Sequence, residues 1–265
     1  MKKTTNKEYA LITGTTSGIG YAFCEKFASK KINLILVSRN EELVLKQKEL
    51  LTQKHAIDVK YIILDLSEKN CVQKIMEYIT GHNIQIDYLV NNAGYNEVGN
   101  FLKTDLEKEL LMIQLHISFV TELTKSILPQ MVSRRKGKIV NLGSTGSYIA
   151  SPYHAVYTGT KAYTLFFSRA LYAELRGTGV TVTCVCPGST KTGFAKKAGI
   201  ENTLLFKLFV LKPERVAKKG FRAMKKGKRE IIVGFYSKIQ VLTSKIMPKR
   251  FVDYLAKKMS ANINS

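Results

Sequence analysis

The strongest constraint on the fold of this chain is the regular alternation of short apolar runs with longer amphipathic segments. The runs at 9–13 and 33–37 are continuously apolar, and a segment with helical periodicity follows each of them. Strands that are apolar on both faces are typical of parallel sheets covered by helices on both sides. Further runs of this kind lie at 59–64, 84–90, 138–142, 180–185 and 230–233. The sequence therefore predicts an α/β fold, a doubly wound Rossmann domain with a parallel sheet of about seven strands.

Two of the intervening segments are regular enough to predict which side chains face the core. Residues 18–30 carry apolar side chains at a period of about 3.6, and residues 41–55 are predicted to turn Leu43, Leu50 and Leu51 inward. Ligands of such sheets bind beyond the carboxyl ends of the strands, so we expect the functional residues directly after the apolar runs.

Composition fits one packed domain over residues 1–265 and argues against several other classes of protein. Hydrophobic residues make up 45% of the chain, and no linker-like segment divides it. Four cysteines are too few for a disulfide scaffold, so we expect a cytoplasmic protein. The N-terminal residues do not resemble a signal peptide, and no run reaches the roughly 18 apolar residues of a membrane span. Cys184 and Cys186 share one side of a strand without a clustered histidine, so we expect no metal site.

Charge is the unusual feature of the composition, since 42 Lys and Arg against 20 Asp and Glu give a net charge of +22. Residues 191–265 carry 19 basic and 4 acidic side chains, a net of +15. Within them, 236–265 is a basic amphipathic extension with Ile239, Leu242 and Ile246 at helical spacing. We favour packing of this extension on its own core or on a partner subunit; the alternative is an anionic membrane surface. No nucleic-acid-binding motif occurs, so no nucleic-acid partner is expected.

A glycine-rich turn, residues 13–20, follows the first apolar run. Glycines between a strand and a helix allow close approach of the backbone, and the helix N-terminus offers free N–H groups to a pyrophosphate. The turn therefore predicts a dinucleotide site, although glycine-rich turns also occur for purely structural reasons. The residues that we assign to this site are Gly14, Ser17, Gly18, Ile19 and Gly20.

Side chains after the second and third apolar runs indicate which dinucleotide binds. Ser38 and Arg39 stand where an acidic residue would bind the ribose hydroxyls of NAD, and an arginine there favours the 2′-phosphate of NADP(H). Alternatively, Arg39 is a solvent-exposed side chain at a strand end. Asp65 and Leu66 are candidates for contact with the adenine, although Asp65 is also placed to cap the next helix together with Ser67.

Taken in order, these motifs resemble those of the short-chain dehydrogenase/reductases. The matching pieces are the glycine turn, Asp65-Leu66, Asn91-Asn92-Ala93-Gly94, Ser144, the pair Tyr157 and Lys161, and Pro187-Gly188. They cover residues 8–192, and the sequence is similar to a bacterial branch related to ketoacyl and hydroxysteroid reductases. The resemblance implies a nicotinamide-dependent oxidoreductase that forms dimers or tetramers, with Asn92, Ala93 and Gly94 at the cofactor.

The resemblance also implies catalytic roles for three residues. Tyr157 would be the proton donor, Lys161 its partner and a ligand of the nicotinamide ribose, and Ser144 the holder of the substrate oxygen. Tyr157 and Lys161 share one helix face, and an ammonium beside a phenol is expected to lower the pKa of the phenol from about 10. Such a tyrosine can protonate a carbonyl oxygen while hydride arrives at the carbon.

The sequence departs from the family pattern at His116, where an asparagine usually anchors a water in a proton relay. A histidine there can hold a water and titrate near neutral pH, or it can be a packed side chain without a role in the relay. Pro187, Gly188 and Thr192 match the loop at the nicotinamide end. Residues 193–211 match the variable substrate lid, and their apolar side chains favour a lipophilic substrate unless they only cover the core.

The sequence therefore predicts an NADP(H)-dependent carbonyl reductase that converts a lipophilic ketone or aldehyde to an alcohol, or catalyses the reverse reaction. The alternative is a non-catalytic dinucleotide-binding protein that docks on a membrane or partner through its basic C-terminal end. Ser144, Tyr157 and Lys161 favour the enzyme, since a protein without activity has little need of all three.

Overall fold

A parallel sheet of seven strands forms the centre of the computed structural model, which describes residues 8–193 and 209–260. The strands are β1 (Tyr9–Thr13), β2 (Asn33–Ser38), β3 (Val59–Ile63), β4 (Ile86–Asn91), β5 (Gly137–Leu142), β6 (Val180–Pro187) and β7 (Glu230–Val233). They lie in the order β3-β2-β1-β4-β5-β6-β7, and every neighbouring pair is parallel. The predicted doubly wound fold is confirmed, with its switch of direction between β1 and β4.

Helices connect the strands at the positions where the sequence shows helical periodicity. They are α1 (Gly18–Ala28), α2 (Glu41–His55), α3 (Cys71–Gly81), α4 (Leu106–Ile113), α5 (Phe119–Ser133), α6 (Ala155–Glu174), α7 (Pro213–Lys225), α8 (Phe235–Ile246) and α9 (Lys249–Ser260). A π-helical turn, Gln114–Ser118, joins α4 to α5. A 3₁₀ turn, Thr145–Ser147, follows β5.

One face of the sheet is covered by α1, α2 and α7. Phe23 and Phe27 of α1 are completely buried in this layer. The ring of Phe27 meets Tyr88 of β4 edge-on at 5.3 Å between centroids and Phe221 of α7 at 5.0 Å. Edge-to-face contacts stabilise aromatic pairs beyond their apolar burial, so Phe27 joins the sheet to two helices.

The opposite face of the sheet is covered by α3, α5 and α6. Successive residues of a strand point to opposite faces, so Ile12 belongs to the first core layer and Leu11 to the second. The same division separates Leu36 from Ile35 in β2. Because both faces of the sheet are buried, each strand has to be continuously apolar, which is the pattern seen in the sequence.

Helix α2 buries a different set of side chains from the predicted one. Leu51 faces the core as predicted, but Leu43 and Leu50 are exposed, and Val44 and Gln47 are buried instead. Val44, Gln47 and Leu51 are three and four positions apart and therefore share one helix face. Leu43 and Leu50 each precede a buried residue by one position, which places them about 100° around the helix from the core.

The described part of the basic C-terminal extension lies in α8 and α9, and the apolar stripe of α8 does not pack on the other residues that the structure describes. Ile239, Leu242 and Ile246 are exposed, whereas Ser237 and Val241 are buried. We predicted that this stripe packs either on its own core or on a partner subunit. The first of these predictions is wrong, because the inner side of α8 holds mostly small side chains. Packing on a partner subunit stays a prediction. Within residues 8–193 and 209–260, no helix is long and apolar enough to cross a bilayer.

We expect Phe27→Ala to lower the free energy of unfolding by about 3–5 kcal/mol, because it removes a completely buried ring and leaves a cavity. Urea denaturation followed by circular dichroism measures the change. Leu102→Ala is the control: Leu102 is 91% exposed. Its substitution should change the free energy of unfolding by less than about 0.5 kcal/mol. Equal effects of the two substitutions would contradict the central position of Phe27.

Candidate active site

A cleft of about 1030 Å³ lies beyond the carboxyl ends of the strands, where β1 and β4 diverge. All the predicted site residues line it except Gly20 and His116, which are buried behind its wall. The lining residues follow each of the first six strands. The fold thus brings together motifs that are spread over most of the chain.

The glycine turn after β1 depends on glycine at three positions. Gly14 and Gly18 have φ angles of +67° and +57°, in the left-handed region that favours glycine. Gly20 has a different constraint, since a Cβ there would lie 2.0 Å from the carbonyl oxygen of Gly14. The turn can therefore place bare backbone at the floor of the cleft.

Hydrogen bonds tie this turn to the loop after β4. Asn92 Nδ2 donates to the carbonyl oxygens of Thr13 at 2.9 Å and Gly14 at 3.0 Å. Thr13 Oγ1 accepts from the N–H groups of Asn92 and Ala93, both at 3.0 Å. A side chain predicted at the cofactor, Asn92, thus also shapes the loop on which a cofactor would lie.

The start of α1 has the donors that the pyrophosphate of a dinucleotide requires. Its first turn contains no acidic residue, and the side chain of the N-cap residue Ser17 makes no capping hydrogen bond. The N–H groups of the first turn and the positive end of the helix dipole therefore remain available to an anion. Ser17, Gly18 and Ile19 all line the cleft, so the residues present fit a dinucleotide.

Arg39 and Asp65 form an ion pair at the rim of the cleft, with Arg39 Nη1 3.1 Å from Asp65 Oδ2. The Arg39 side chain is 71% exposed, so its guanidinium is accessible to an anion in the cleft. Burial raises the pKa of Asp65, but hydrogen bonds from Ser67 and the charge of Arg39 lower it more, and the net shift is downward. The predicted contact with Ser67 is present, but it closes a turn and caps no helix, since α3 begins only at Cys71.

The three candidate catalytic residues meet in the same cleft. Tyr157 and Lys161 lie one turn apart on α6, and Lys161 Nζ is 5.7 Å from the centroid of the Tyr157 ring. Lys161 Nζ also donates to the carbonyl oxygen of Leu142, at the end of β5, at 2.9 Å. Ser144 follows this strand and hydrogen-bonds Tyr157. A hydroxyl, a phenol and an ammonium are thus placed where one carbonyl oxygen can meet the first two.

The pKa of Tyr157 is shifted in the direction opposite to the predicted one. Burial raises it to about 12, although the hydrogen bond with Ser144 acts to lower it. Burial also lowers the pKa of Lys161 to about 8. Both shifts have the same cause, because removal from water disfavours the charged form of each group. The phenol is therefore neutral in the protein without ligand, which is the state that can donate a proton.

Comparison with known proteins identifies the family. Residues 8–202 match the family model of the short chain dehydrogenases. The chain belongs to this family of oxidoreductases. The very-long-chain 3-oxoacyl-CoA reductase of Mus musculus is 32% identical over 193 residues, which are 71% of this chain and 61% of that protein. The match thus spans about three fifths of that curated relative.

Solved structures show the same architecture. A short-chain dehydrogenase from Sphingobium yanoikuyae in complex with NADPH is 26% identical with a TM-score of 0.81, and the match covers 90% of this chain and 93% of that one. A 7beta-hydroxysteroid dehydrogenase with 23% identity and a TM-score of 0.85 shares the fold, with coverage of 94% and 96%. The fold of this short-chain dehydrogenase therefore extends beyond the region that the family model matches.

His116 occupies the π-helical turn between α4 and α5 and is only 2% exposed. Its Nε2 accepts from the Tyr95 N–H at 3.3 Å, and its Nδ1 lies 2.9 Å from the Thr160 hydroxyl. That hydroxyl donates to the carbonyl oxygen of Tyr157 at 2.8 Å, so Nδ1 of His116 carries the proton. The histidine thus connects the loop after β4 to the backbone of the candidate proton donor.

Both ring nitrogens of His116 have protein partners, which favours the interpretation of a packed side chain over that of a water holder. Burial, and after it the charge of Lys161, lowers the pKa of His116 well below 6.5. This downward shift disfavours the alternative in which the histidine titrates near neutral pH. The ring lies 6.0 Å from the Tyr157 ring, measured between centroids, in an edge-on arrangement.

Asn96 and His154 also line the cleft, although no sequence motif marks them. Asn96 Nδ2 lies 2.9 Å from His154 Nδ1, and Asn96 Oδ1 is buried without a partner in the described part of the chain. Burial lowers the pKa of His154 to about 4, so the ring is neutral at pH 7 and carries its proton on Nε2. Each is a single residue outside any motif, and the two are 58 positions apart, so no sequence signal was available.

The loop after β6 reaches the glycine turn through Thr192. A Cβ added at Gly18 would lie 2.8 Å from Thr192 Cγ2, so the two loops are in close contact. Pro187, Gly188 and Thr192 all line the cleft, and their contact with the nicotinamide stays a prediction. The expected lid continues through residues 194–208, which lie outside the described residues. Phe209 and Val210, at its far end, are exposed.

The cysteine pair on β6 is a packing feature in the described structure. Cys184 and Cys186 are completely buried, with their sulfurs 3.5 Å apart, and they share a small apolar cluster with Leu165. Across residues 8–193 and 209–260, no group of three or more His, Cys, Asp and Glu side chains is arranged to hold a metal ion. The absence of a metal site stays a prediction for the whole chain.

Lys161 should make the stability of this short-chain dehydrogenase depend on pH. The group loses its proton at about pH 8 in the folded protein and at its ordinary 10.5 after unfolding. Between these values the folded state binds fewer protons, so the free energy of unfolding should rise with pH. We expect Lys161→Met to remove this rise, as measured by urea denaturation across that interval.

The exposed Lys125 of α5 supplies the control, and Lys125→Met should leave the pH dependence of stability unchanged. Identical pH dependence in the wild type and Lys161→Met would contradict the downward shift of the Lys161 pKa.

Proposed function

We propose that this protein is an NADP(H)-dependent carbonyl reductase that converts a lipophilic ketone or aldehyde to an alcohol, or catalyses the reverse reaction. The observation that carries the proposal is the presence of Ser144, Tyr157 and Lys161 in the cleft that also contains the glycine turn. Carbonyl reduction needs three groups from the protein: a proton donor, a cation near that proton donor, and a second group that donates a hydrogen bond to the substrate oxygen.

A bound nicotinamide dinucleotide would supply the hydride for the carbonyl carbon. The Ser144 hydroxyl donates a hydrogen bond to the carbonyl oxygen, and the Tyr157 hydroxyl gives its proton to the same oxygen, so that the carbonyl becomes an alcohol. Lys161 is mostly protonated at neutral pH, with its pKa at about 8, and its ammonium stabilises the phenolate that remains on Tyr157. Burial of both side chains strengthens this interaction by excluding water.

The preference for NADP(H) rests on Arg39. Its guanidinium is the exposed cation at the end of β2, and neither neighbour, Ser38 or Asn40, is acidic. A 2′-phosphate would form charge-assisted hydrogen bonds with it. The relative from Sphingobium yanoikuyae, whose structure contains NADPH, supports the same preference.

The lipophilic substrate is proposed from apolar residues around the cleft. Leu111 and Leu115 contribute apolar side chains to its wall, and Phe209 and Val210 continue the apolar sequence of the expected lid. The mouse relative is named as a reductase of 3-oxoacyl-CoA, and a structural neighbour is named as a hydroxysteroid dehydrogenase. Acyl thioesters with a 3-oxo group and ketosteroids are therefore the first compounds to test.

We also propose that the protein forms a homo-oligomer and is located in the cytoplasm. Leu106 and Leu110 of α4 and Phe166 of α6 are exposed apolar side chains, which supports a homo-oligomer formed through these helices.

Tyr157→Phe should reduce the turnover of NADPH with a hydrophobic ketone at least about a hundredfold, because the proton donor is lost. Binding of NADPH, followed by fluorescence titration, should change by less than about threefold, since the ring remains in place. Tyr172→Phe, on the same helix but outside the cleft, is the control and should retain activity. Tight NADPH binding by the wild type without turnover of any ketone, aldehyde or alcohol would instead support a non-catalytic dinucleotide-binding protein.

Arg39→Ala should raise the Kd of NADPH about tenfold or more and change that of NADH by less than about twofold, because only NADPH has the phosphate that the guanidinium would bind. The two constants are measured by fluorescence titration on the same preparation. Arg215→Ala, at an exposed position of α7, should change neither constant. Equal losses for both cofactors would disprove the assignment of Arg39 to the phosphate.

A further inference from the structure

Helix α8 turns its apolar side away from the rest of the described structure. Four of its large apolar side chains are exposed, with Phe235 and Ile246 at 79% and 76%, while small or short residues face inward. The exposed side chains are Phe235, Ile239, Leu242 and Ile246, and the buried ones are Ser237, Val241 and Ser244. A helix that only covers a core has the reverse arrangement. Among residues 8–193 and 209–260 this face of α8 has no partner, so it is available for contact with something else.

The geometry of α8 makes the exposed stripe narrow and continuous. The spacing of its four residues is four, three and four, which confines them to an arc of roughly 60° around the helix. Lys238 and Lys245 lie along one side of this stripe, and both are exposed. Large apolar side chains with a border of lysines form the pattern of helices that lie in the plane of a membrane surface.

Close packing explains why the inner side of α8 has to be small. A Cβ added at Gly188 would lie 2.1 Å from Ser237 Oγ, and one added at Gly234 would lie 2.7 Å from the same atom. Serine fits between these glycines, whereas a large side chain would push the helix away from the loop after β6. The orientation of α8 is therefore fixed by its inner contacts, and its apolar side has to face outward.

Neighbouring segments extend the exposed apolar area. The ring of Phe209 stacks on that of Tyr236 at 3.8 Å, and the Tyr236 hydroxyl lies 4.0 Å from Met259 Sδ of α9. Phe251 and Leu255 of α9 are exposed as well. We define the C-terminal apolar surface as the exposed stripe of α8 with these neighbours, namely Phe209, Phe235, Ile239, Leu242, Ile246, Phe251 and Leu255.

Charge decides which partner fits this surface. Residues 235–260 contain six basic side chains and one acidic side chain, a net charge of +5. A second copy of the chain would bring an equal positive charge to the contact, and like charges at an interface are unfavourable. An anionic lipid surface offers opposite charge to the lysines and an apolar layer to the stripe. We propose that the C-terminal apolar surface docks the protein on an anionic lipid bilayer.

The docked surface adjoins the active-site cleft. Ser260, the last residue of α9, lines the cleft, and Ser237 of α8 contacts Gly188 in its wall. The helices that would carry the docked surface therefore also border the cleft on their inner side. The docking itself does not require any activity.

Sedimentation with vesicles tests the docking. The full chain is mixed with vesicles of phosphatidylcholine alone, or of phosphatidylcholine with about a third phosphatidylglycerol, at about 0.05 M and about 0.5 M salt. We expect binding to the anionic vesicles only, weakened but not abolished by high salt, because the apolar contribution does not depend on charge. Lys238→Gln with Lys245→Gln should reduce the bound-to-free ratio about tenfold at low salt.

At high salt, loss of the apolar stripe should weaken vesicle binding more than loss of the two lysines does, because salt screens the charges and leaves the apolar contribution. Leu242→Gln with Ile246→Gln should reduce the bound-to-free ratio at least about tenfold at both salt concentrations. The matched control is Leu50→Gln, because Leu50 of α2 is another exposed leucine on a helix and lies outside the C-terminal apolar surface. Thermal unfolding confirms that each variant is folded.

Three results would overturn the proposal. One is the absence of binding by the wild type to anionic vesicles, and another is unchanged binding by the Leu242→Gln, Ile246→Gln variant. The third is a wild type that forms an oligomer in analytical ultracentrifugation but does not bind vesicles, together with a Leu242→Gln, Ile246→Gln variant that does not form the oligomer. That result would assign the surface to a contact between copies. None of these readouts requires turnover, so failure of the docking and failure of the carbonyl reductase are distinguishable.

Discussion

The hydrogen bonds between the loops after β1 and β4 are the constraint on which the site depends. These strands are neighbours in the sheet, but their connections leave in opposite directions, and the gap between them is the origin of the cleft. Thr13 and Asn92 close the floor of this gap with two backbone N–H groups and two backbone carbonyls. These bonds hold the start of the glycine turn, and its far end continues directly into α1. The start of α1 then faces the cleft with its N–H groups free.

The chemistry of the site has a cost in stability that other contacts offset. Lys161 and Tyr157 are buried in a position where their charged forms are disfavoured. Lys161 gains a hydrogen bond to Leu142, and Tyr157 gains one from Ser144. His116 and Thr160 hold the helix that carries both residues. The core layers on both faces of the sheet supply the stability that allows such groups to stay dry.

Much of the fold and most of the cleft could be predicted, because local patterns determine them. Continuous apolar strands follow from burial on both faces, and the motifs after the strands meet because parallel strands end at one edge. The helical phase of α2 could not be read from Leu43 and Leu50, since apolar side chains also occupy its exposed side. The pKa shift of Tyr157 depends on burial that only the packed structure shows, and the pair of Asn96 and His154 depends on contacts between distant segments. The orientation of α8 depends on its close contact with Gly188, which periodicity does not reveal.

The contact between Gly188 and Ser237 has a thermodynamic consequence. The two residues are so close that α8 packs directly against the loop after β6, and that loop lines the cleft. A ligand whose binding moved this loop would therefore also act on the packing of α8. Linkage requires the two effects on affinity to be equal in both directions. If binding moves the loop, occupancy of the cleft and occupancy of the outer face of α8 would share a single interaction free energy.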